Sequence, residues 1–177
     1  MVQTTVVAAG GGALRAETDG GRQYLAFTLN GEVFAIDILQ IREIIEFGAL
    51  TEVPMMPPTI RGVINLRGAV VPVIDLSARF GREQSAVARR TCVVIIEVSV
   101  EGAKQTLGVM VDAVNEVMEI PAADVEPAPA FGARIRTDFI AGMGRVNGRF
   151  VIILDVARVF SLDELATLGH LATEMAA

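Results

Sequence analysis

Short apolar runs separated by glycine-containing turns fill most of the chain, and this pattern predicts a series of β-hairpins. Four turn pairs have apolar residues on both sides: Asn30-Gly31, Arg67-Gly68, Glu101-Gly102 and Asn147-Gly148. Glycine in such a pair accepts the positive φ angle that a tight hairpin turn requires. We therefore predict four hairpins and a mostly β fold.

The stretch that follows the first hairpin, residues 38–47, carries two conflicting signals. The spacing of Ile41, Ile44 and Ile45 suits a helix, whereas their β-branched side chains suit a strand. Because the stretch is short and follows a strand directly, we expect a brief turn and then a strand.

The two ends of the chain differ from its centre. Residues 1–21 are small, polar and rich in glycine, so they bury too little surface to repay ordering, and we expect a disordered tail. Near the other end, Ser161 and Glu164 have the spacing of a capping box. Leucines then recur at every third position from Leu162 to Leu171, which predicts an amphipathic helix over residues 161–175.

The apolar pattern occurs twice. The segment from Ala35 to Ile44 matches Gly108 to Val117, 73 residues later, and the segment from Gly62 to Asp75 matches Gly142 to Asp155, 80 residues later. The two offsets differ because of a proline-containing connector at residues 121–138, which is a natural place for an insertion. The residues alone predict a duplicated fold, either two small antiparallel barrels or one sandwich.

Composition indicates a globular protein and limits its partners. With 52% apolar and 20% charged residues, a chain of 177 residues can bury a substantial core. Branched aliphatic residues dominate and aromatics make up only 5%, which favours packing on pleated sheets. The formal net charge of −6 would repel a phosphate backbone, so we expect no nucleic-acid partner.

Cysteine usage and the length of the apolar runs bear on the compartment. Cys92 is the only cysteine, so neither an intrachain disulfide nor a site of several thiolates can form. The first residues lack the basic stretch of a signal peptide. The apolar runs are far shorter than the roughly 20 residues that cross a bilayer. We expect a cytoplasmic protein without membrane insertion.

Few residues could carry catalysis or hold a cofactor. His170 is the only histidine and falls on the predicted terminal helix, and no metal-ligand spacing or phosphate-binding glycine loop is present, so we expect no cofactor. The sharpest enzymatic hypothesis is a hydrolase in which Asp75 and Asp155 share a proton. We favour the alternative that both carboxylates cap the short helices that follow them, because neither aspartate precedes a hydroxyl residue.

One family resemblance is more specific than these patterns. The segment RGVINLRGAVVPVIDL, Arg61 to Leu76, follows AIDILQIREII and precedes GVMVDAVNEVMEI and FIAGMGRVNGRFVIILD. In this order the segments closely resemble the CheW family over roughly Gln23 to Leu165. The resemblance implies two intertwined five-stranded SH3-like β-barrels with short helices and a C-terminal helix. Within residues 22–165, the subdomains would cover about 22–85 plus a returning C-terminal strand, and 90–155.

The resemblance also implies a function. CheW-like proteins are non-catalytic adaptors that couple the cytoplasmic tips of methyl-accepting chemoreceptors to the histidine kinase CheA in membrane-associated arrays. An alternative is a CheW-like module that serves a non-chemotactic receptor–kinase array. The hydrolase with Asp75 and Asp155 is the remote alternative.

By residue-by-residue match, the receptor-contacting groove would include Ile38, Ile41, Glu43, Ile44, Asn65 and Arg67. An apolar strip can take the hydrophobic face of a receptor helix, while Glu43 and Arg67 could fix its register through charge-assisted hydrogen bonds. The alternative for Ile38 and Ile44 is an ordinary place in the core.

For the kinase, the resemblance indicates two surfaces: Leu50, Arg61 and Val70 on the first barrel, and Glu126 with Phe131 on the second. Relatives carry a basic residue at the position of Glu126, so any charge pairing there must differ in this chain. Phe131 lies in a proline-rich loop and either contacts the kinase or packs into its own barrel.

Overall fold

The computed structural model describes residues 21–48, 50–100, 102–128, 137–160, 168 and 170. These residues form the strands β1 Gly21–Leu29, β2 Glu32–Asp37, β3 Ile41–Glu46, β4 Ile60–Leu66, β5 Ala69–Asp75, β6 Cys92–Val100, β7 Ala103–Val111, β8 Ala113–Pro121, β9 Val125–Glu126, β10 Ile140–Val146 and β11 Arg149–Leu154. Two one-turn helices, α1 Leu76–Arg79 and α2 Val156–Val159, and short 3₁₀ segments at Ile38–Gln40, Ala122–Asp124 and Thr137–Phe139 complete the described elements. The predicted mostly β fold is confirmed.

The four predicted hairpins are present as β1–β2, β4–β5, β6–β7 and β10–β11. Their turns use the positive φ angles that the sequence indicates, for example 53° at Arg67 and 88° at Gly68. The ambiguous segment after β2 is a 3₁₀ turn followed by β3, as expected. Asp37 caps this turn, because its side chain accepts a hydrogen bond from the backbone N–H of Leu39 at 2.9 Å.

The strands form two sheets that have the same internal order. One sheet has six strands in the order β8-β1-β2-β11-β10-β9, and the other has five in the order β3-β6-β7-β5-β4. Strands that are equivalent in the sequence repeat occupy equivalent positions. The counterpart of β9 is a single bridge between Thr51 and Val63. Two backbone hydrogen bonds are also equivalent in the repeat. The N–H of Asp75 donates to the carbonyl oxygen of Thr59 at 2.7 Å, and the N–H of Asp155 donates to the carbonyl oxygen of Phe139 at 2.9 Å.

Both of the chain segments that the resemblance assigns to subdomains contribute strands to each sheet. The hairpin β1–β2 belongs to the six-stranded sheet with β8–β11, and β6–β7 belongs to the five-stranded sheet with β3–β5, so segments 22–85 and 90–155 each contribute to both. Two parallel pairings cause the exchange: β2 with β11 and β5 with β7. The two halves therefore exchange hairpins, which agrees with the intertwined arrangement that the resemblance implies.

Three hydrophobic clusters reflect this exchange. One lies within the six-stranded sheet, one lies within the five-stranded sheet, and the largest draws on both sheets and both helices. In the largest cluster, aromatic rings follow one another from Phe27 to Phe34, Phe80 and Phe139, with centroids 5.6–6.0 Å apart. Burial of this shared cluster joins the two sheets into one unit.

The ends of the chain are only partly described. β1 begins at Gly21, which was expected to be the last residue of the disordered tail, and residues 1–20 lie outside the described part. In the predicted helix at 161–175, the structure describes Leu168 and His170; both are helical, with Leu168 buried and His170 exposed. The helix as a whole stays a prediction. Within the described ranges, no helix is long and apolar enough to span a membrane.

Gly62 is a position where the fold requires glycine. Its φ is +151°, and an added Cβ would lie 2.3 Å from the backbone oxygen of Thr51. We expect Gly62→Ala to lower the free energy of unfolding by more than about 2 kcal/mol in urea denaturation followed by circular dichroism. At Gly68, φ is +88°, but an added Cβ would have no atom within 4 Å apart from those of its chain neighbours. Gly68→Ala should cost about 1 kcal/mol, and equal losses for the two variants would contradict this interpretation.

Candidate functional site

The β4–β5 turn presents Arg67 to Glu43 on β3. Arg67 donates two hydrogen bonds, from Nη1 to Oε2 at 2.6 Å and from Nη2 to Oε1 at 2.8 Å, so the ion pair is bidentate. Asn65 shapes the turn, because its Oδ1 accepts a hydrogen bond from the N–H of Gly68 at 3.0 Å. Three residues of the expected receptor-contacting set, Glu43, Asn65 and Arg67, therefore lie together in the structure.

The ion pair is charged at neutral pH. The hydrogen bonds from Arg67 lower the pKa of Glu43 and outweigh the smaller opposing effect of its partial burial. The same hydrogen bonds raise the pKa of Arg67. A carboxylate whose pKa is lowered in the folded state stays ionised well below pH 7 and loses the pair only in acid.

A depression lies beside this pair. Its apolar lining comes from Leu66, Ala69, Val70, Val71 and Ile95, and its polar lining, which we call the rim, comes from Arg42, Glu43, Arg67, Lys104, Gln105 and Thr106. Three of the rim side chains are cationic. Apolar residues next to cationic ones suit one face of an amphipathic helix that carries acidic side chains. We call these eleven residues the depression.

Two of the cationic rim residues, Arg42 and Lys104, were not predicted from the sequence. Both lie near Glu97 of β6, with nitrogen–oxygen distances of 2.8 Å from Arg42 and 3.9 Å from Lys104. Their charges and their positions in strands flanked by apolar residues are visible in the sequence. The pairing of β3, β6 and β7 that brings them together is not.

The isoleucines of the expected receptor-contacting set take different environments. Ile38 is only 4% exposed, because the capped 3₁₀ turn directs it into the core, so its expected role as a contact residue does not fit the structure. Ile41 and Ile44 are half-buried and pack against the cluster that joins the two sheets. The exposed apolar residue of this turn is Leu39.

Arg61, expected at the kinase surface, makes internal contacts instead. A β-bulge places Arg61 outside the regular pairing between β4 and β5, and its Nη1 donates to Asp75 Oδ2 and to the carbonyl oxygen of Ser85, both at 2.9 Å. Its side chain is 18% exposed. Leu50 is half-buried in the cluster of the five-stranded sheet, while Val70 lines the depression. The structure thus places Val70 with the expected receptor-contacting residues.

The second expected kinase surface is described only in part. Glu126 on β9 forms an ion pair with Arg145 on β10. Glu126 thus has an intramolecular cationic partner. Phe131 lies outside the described residues, so its role stays a prediction.

The two candidate catalytic aspartates have separate environments. Asp75 is fully buried; its Oδ1 caps α1 by accepting from the N–H of Ala78 at 3.1 Å, and its Oδ2 binds Arg61. Asp155 precedes α2 but makes no capping hydrogen bond and lies 3.5 Å from Arg158. The predicted capping role is confirmed for Asp75 and wrong for Asp155. Each carboxylate has its own cationic partner, which does not favour a dyad that shares a proton.

Other residues with catalytic or metal-binding potential form no recognisable site in the described part of the chain. It contains no group of three or more histidine, cysteine, aspartate and glutamate side chains that could hold a metal ion. Burial raises the pKa of the Cys92 thiol, so the reactive thiolate is disfavoured at neutral pH.

Comparison with known proteins gives a consistent result. A family model described as the CheW-like domain matches residues 23–164. The chain is 32% identical to the chemotaxis protein CheW of Klebsiella aerogenes, a match that covers 86% of this chain and 89% of that protein. It is 33% identical to the chemotaxis protein CheW of Bacillus subtilis, covering 85% and 94%.

A solved structure agrees in fold and sequence. The scaffolding protein TtCheW from Thermoanaerobacter tengcongensis superposes with a TM-score of 0.71 and 31% identity, covering 81% of this chain and 90% of that one. The RGVINLRGAVVPVIDL segment that carries the sequence resemblance also builds the turn with Arg67 and the buried pair of Arg61 and Asp75. The chain belongs to the family of proteins built on the CheW-like domain.

Proposed function

We propose that this chain is a non-catalytic adaptor that couples methyl-accepting chemoreceptors to a histidine kinase of the CheA type. The observation that carries the proposal is the preformed Glu43–Arg67 pair at the rim of an apolar depression, built by the segment that resembles the CheW family. Relatives named chemotaxis protein CheW and a relative described as a scaffolding protein support it. The adaptor acts in the cytoplasm and is recruited to membrane-associated receptor arrays.

The receptor side of the proposal centres on the depression. Arg67 is exposed and, beyond the two hydrogen bonds to Glu43, its guanidinium has further N–H donors for a carboxylate of the receptor. Val70 supplies apolar surface next to it. Ile41 and Ile44 support β3 from the core side, because their side chains pack against the shared cluster.

The kinase side of the proposal uses a different part of the molecule. An adaptor that holds two partners at once needs surfaces that do not overlap. Glu126, on the six-stranded sheet, and Phe131, in the connector that precedes β10, come from a part of the chain separate from the depression. We assign both residues to the kinase contact, as the family resemblance implies.

Simultaneous binding tests the adaptor function directly. We expect the tagged full-length chain to capture a receptor cytoplasmic fragment and a kinase regulatory domain from the same host together, and each of them alone. Neither partner should displace the other, because the proposed surfaces are separate. Analytical size-exclusion chromatography with light scattering measures the ternary complex.

Competition between the two partners for one site, or binding of neither, would contradict the proposal. Phe131→Ser serves as the control for site assignment in the same experiment. It should lower capture of the kinase domain and leave capture of the receptor fragment unchanged. Unchanged kinase capture would instead place Phe131 in the core.

A further inference from the structure

The β10–β11 hairpin carries an exposed aromatic residue with an arginine over its ring. Arg145 and Phe150 are cross-strand partners, and the guanidinium carbon of Arg145 lies 5.7 Å from the ring centroid of Phe150. The Phe150 residue is 53% exposed. Arg145 also forms the ion pair with Glu126, so its guanidinium is held in place between an acidic and an aromatic side chain.

The first copy of the repeat has different side chains at these two positions. Asn65 and Val70 are the equivalent cross-strand partners on β4 and β5, and Val70 lines the depression. The second copy therefore has a projecting aromatic where the first has part of a depression. A large exposed aromatic contributes little to its own fold, whereas aromatic and arginine side chains supply most of the binding energy at many protein interfaces.

The hairpin is also locally basic in an acidic protein. Between Ile140 and Leu154 there are two arginines, Arg145 and Arg149, and no acidic residue, whereas the whole chain has a net charge of −6. Arg149 is exposed, and the described residues include no ion-pair partner for it. A partner segment with carboxylates would be attracted to this hairpin.

We propose that Arg145, Arg149 and Phe150, which we call the Phe150 surface, bind an acidic segment of the kinase regulatory domain that exposes an apolar side chain. This proposal rests on the adaptor function proposed above. The kinase is the expected occupant because the Phe150 surface belongs to the six-stranded sheet, whereas the depression assigned to the receptor belongs to the five-stranded sheet. Both partners can then bind at once.

The three residues have distinct roles in this surface. The Phe150 ring supplies apolar area to the interface, and Arg145 holds the ring in one orientation, so less conformational freedom is lost on binding. Arg149 is the residue available for a partner carboxylate. The interaction should therefore depend on both the ring and the charge of Arg149, and it should weaken with salt.

Phe150→Ser tests the role of the ring. We expect this variant to lose roughly fivefold or more in affinity for the kinase regulatory domain, measured by isothermal titration calorimetry, and to keep wild-type affinity for the receptor fragment. Val87→Ser is the matched control, because Val87 is also 53% exposed but lies in the connector before β6. It should change neither affinity. Thermal unfolding by circular dichroism checks that both variants are folded.

Arg149→Glu tests the role of charge in the same assay. It should weaken kinase binding, and the remaining affinity should depend less on salt than that of the wild type. The inference is overturned if the wild type binds both partners while Phe150→Ser binds the kinase domain normally, or if Phe150→Ser and Val87→Ser lose affinity equally. Unchanged kinase binding by Arg149→Glu would contradict the proposal that the partner segment is acidic. A wild type that binds no kinase domain would refute the adaptor function itself.

Discussion

Replacing Asp75 with alanine is expected to lower the free energy of unfolding by about 3 to 5 kcal/mol, a large part of the roughly 5 to 15 kcal/mol that holds a typical domain together. Asp75 is fully buried and accepts hydrogen bonds from Arg61, from the N–H of Ser85 at 2.8 Å and from the N–H of Ala78. Its removal leaves a half-buried guanidinium and two backbone donors without their acceptor.

Asp155→Ala is the matched control for this prediction. Asp155 is the repeat equivalent of Asp75, but it makes no capping hydrogen bond, and its side chain is 35% exposed beside Arg158. We expect Asp155→Ala to change the free energy of unfolding by less than about 1 kcal/mol, as is usual for exposed ion pairs. Urea denaturation followed by circular dichroism measures both variants. Equal losses would show that the buried network around Asp75 is not what stabilises the fold.

The same network determines how Arg61 variants should be interpreted. Arg61→Met alone should be strongly destabilising, because it leaves the Asp75 carboxylate buried without its cation. In the double variant Arg61→Met with Asp75→Leu, no charge is left unpaired, so a large part of the loss should be recovered. If kinase binding by Arg61→Met decreases only as the folded fraction decreases, the effect of Arg61 on the kinase comes through folding rather than contact.

The hairpins could be predicted because their signals are local, and the repeat because its two copies keep nearly constant offsets in the sequence. Alternating apolar residues and turn pairs such as Asn147-Gly148 specify each hairpin within about 15 residues of chain. Which strands belong to which sheet could not be predicted. Ala35 on β2 and Gly108 on β7 occupy equivalent positions in the repeat, so apolar pattern alone gives β11 no preference between the two strands. The shared aromatic cluster becomes visible only in three dimensions.

The internal role of Arg61 left a partial signal in the sequence. A glycine inside a strand often marks a bulge, and Gly62 follows the arginine directly. That signal could have indicated that Arg61 leaves the regular strand pairing. The equivalent position in the second copy is Ala141, which cannot pair with Asp155. This difference accounts for the buried pair in one copy and the partly exposed aspartate in the other.

Glu43 and Arg67 were named as receptor contacts by the resemblance rather than by the pattern, and their pairing with each other was not predicted. The two residues are 24 positions apart and lie on β3 and on the β4–β5 turn, which are not neighbours in the sheet order. Neither the hydrophobic period of the sequence nor the spacing of the two residues indicates that they are close in space. The structure adds what the resemblance lacked, namely the bidentate geometry and the apolar depression beside it.

Arg67→Glu is expected to reduce affinity for the receptor fragment roughly tenfold or more, because it replaces a cation of the rim with an anion that repels both Glu43 and an acidic partner. Arg22→Glu is the matched control. Arg22 is 65% exposed and paired with Asp37 at 2.9 Å, and Arg67 is 72% exposed, but Arg22 lies in the six-stranded sheet. Surface plasmon resonance at neutral pH, where Glu43 is ionised, measures both variants.

The charge-swapped double variant Glu43→Arg with Arg67→Glu separates recognition of the charge from maintenance of the turn. The swap can restore an ion pair between β3 and the turn, but it moves the cation away from the turn. If the receptor recognises the guanidinium at Arg67, the double variant should stay as weak as Arg67→Glu. Full recovery would contradict direct recognition and would mean that the pair acts by holding the shape of the depression.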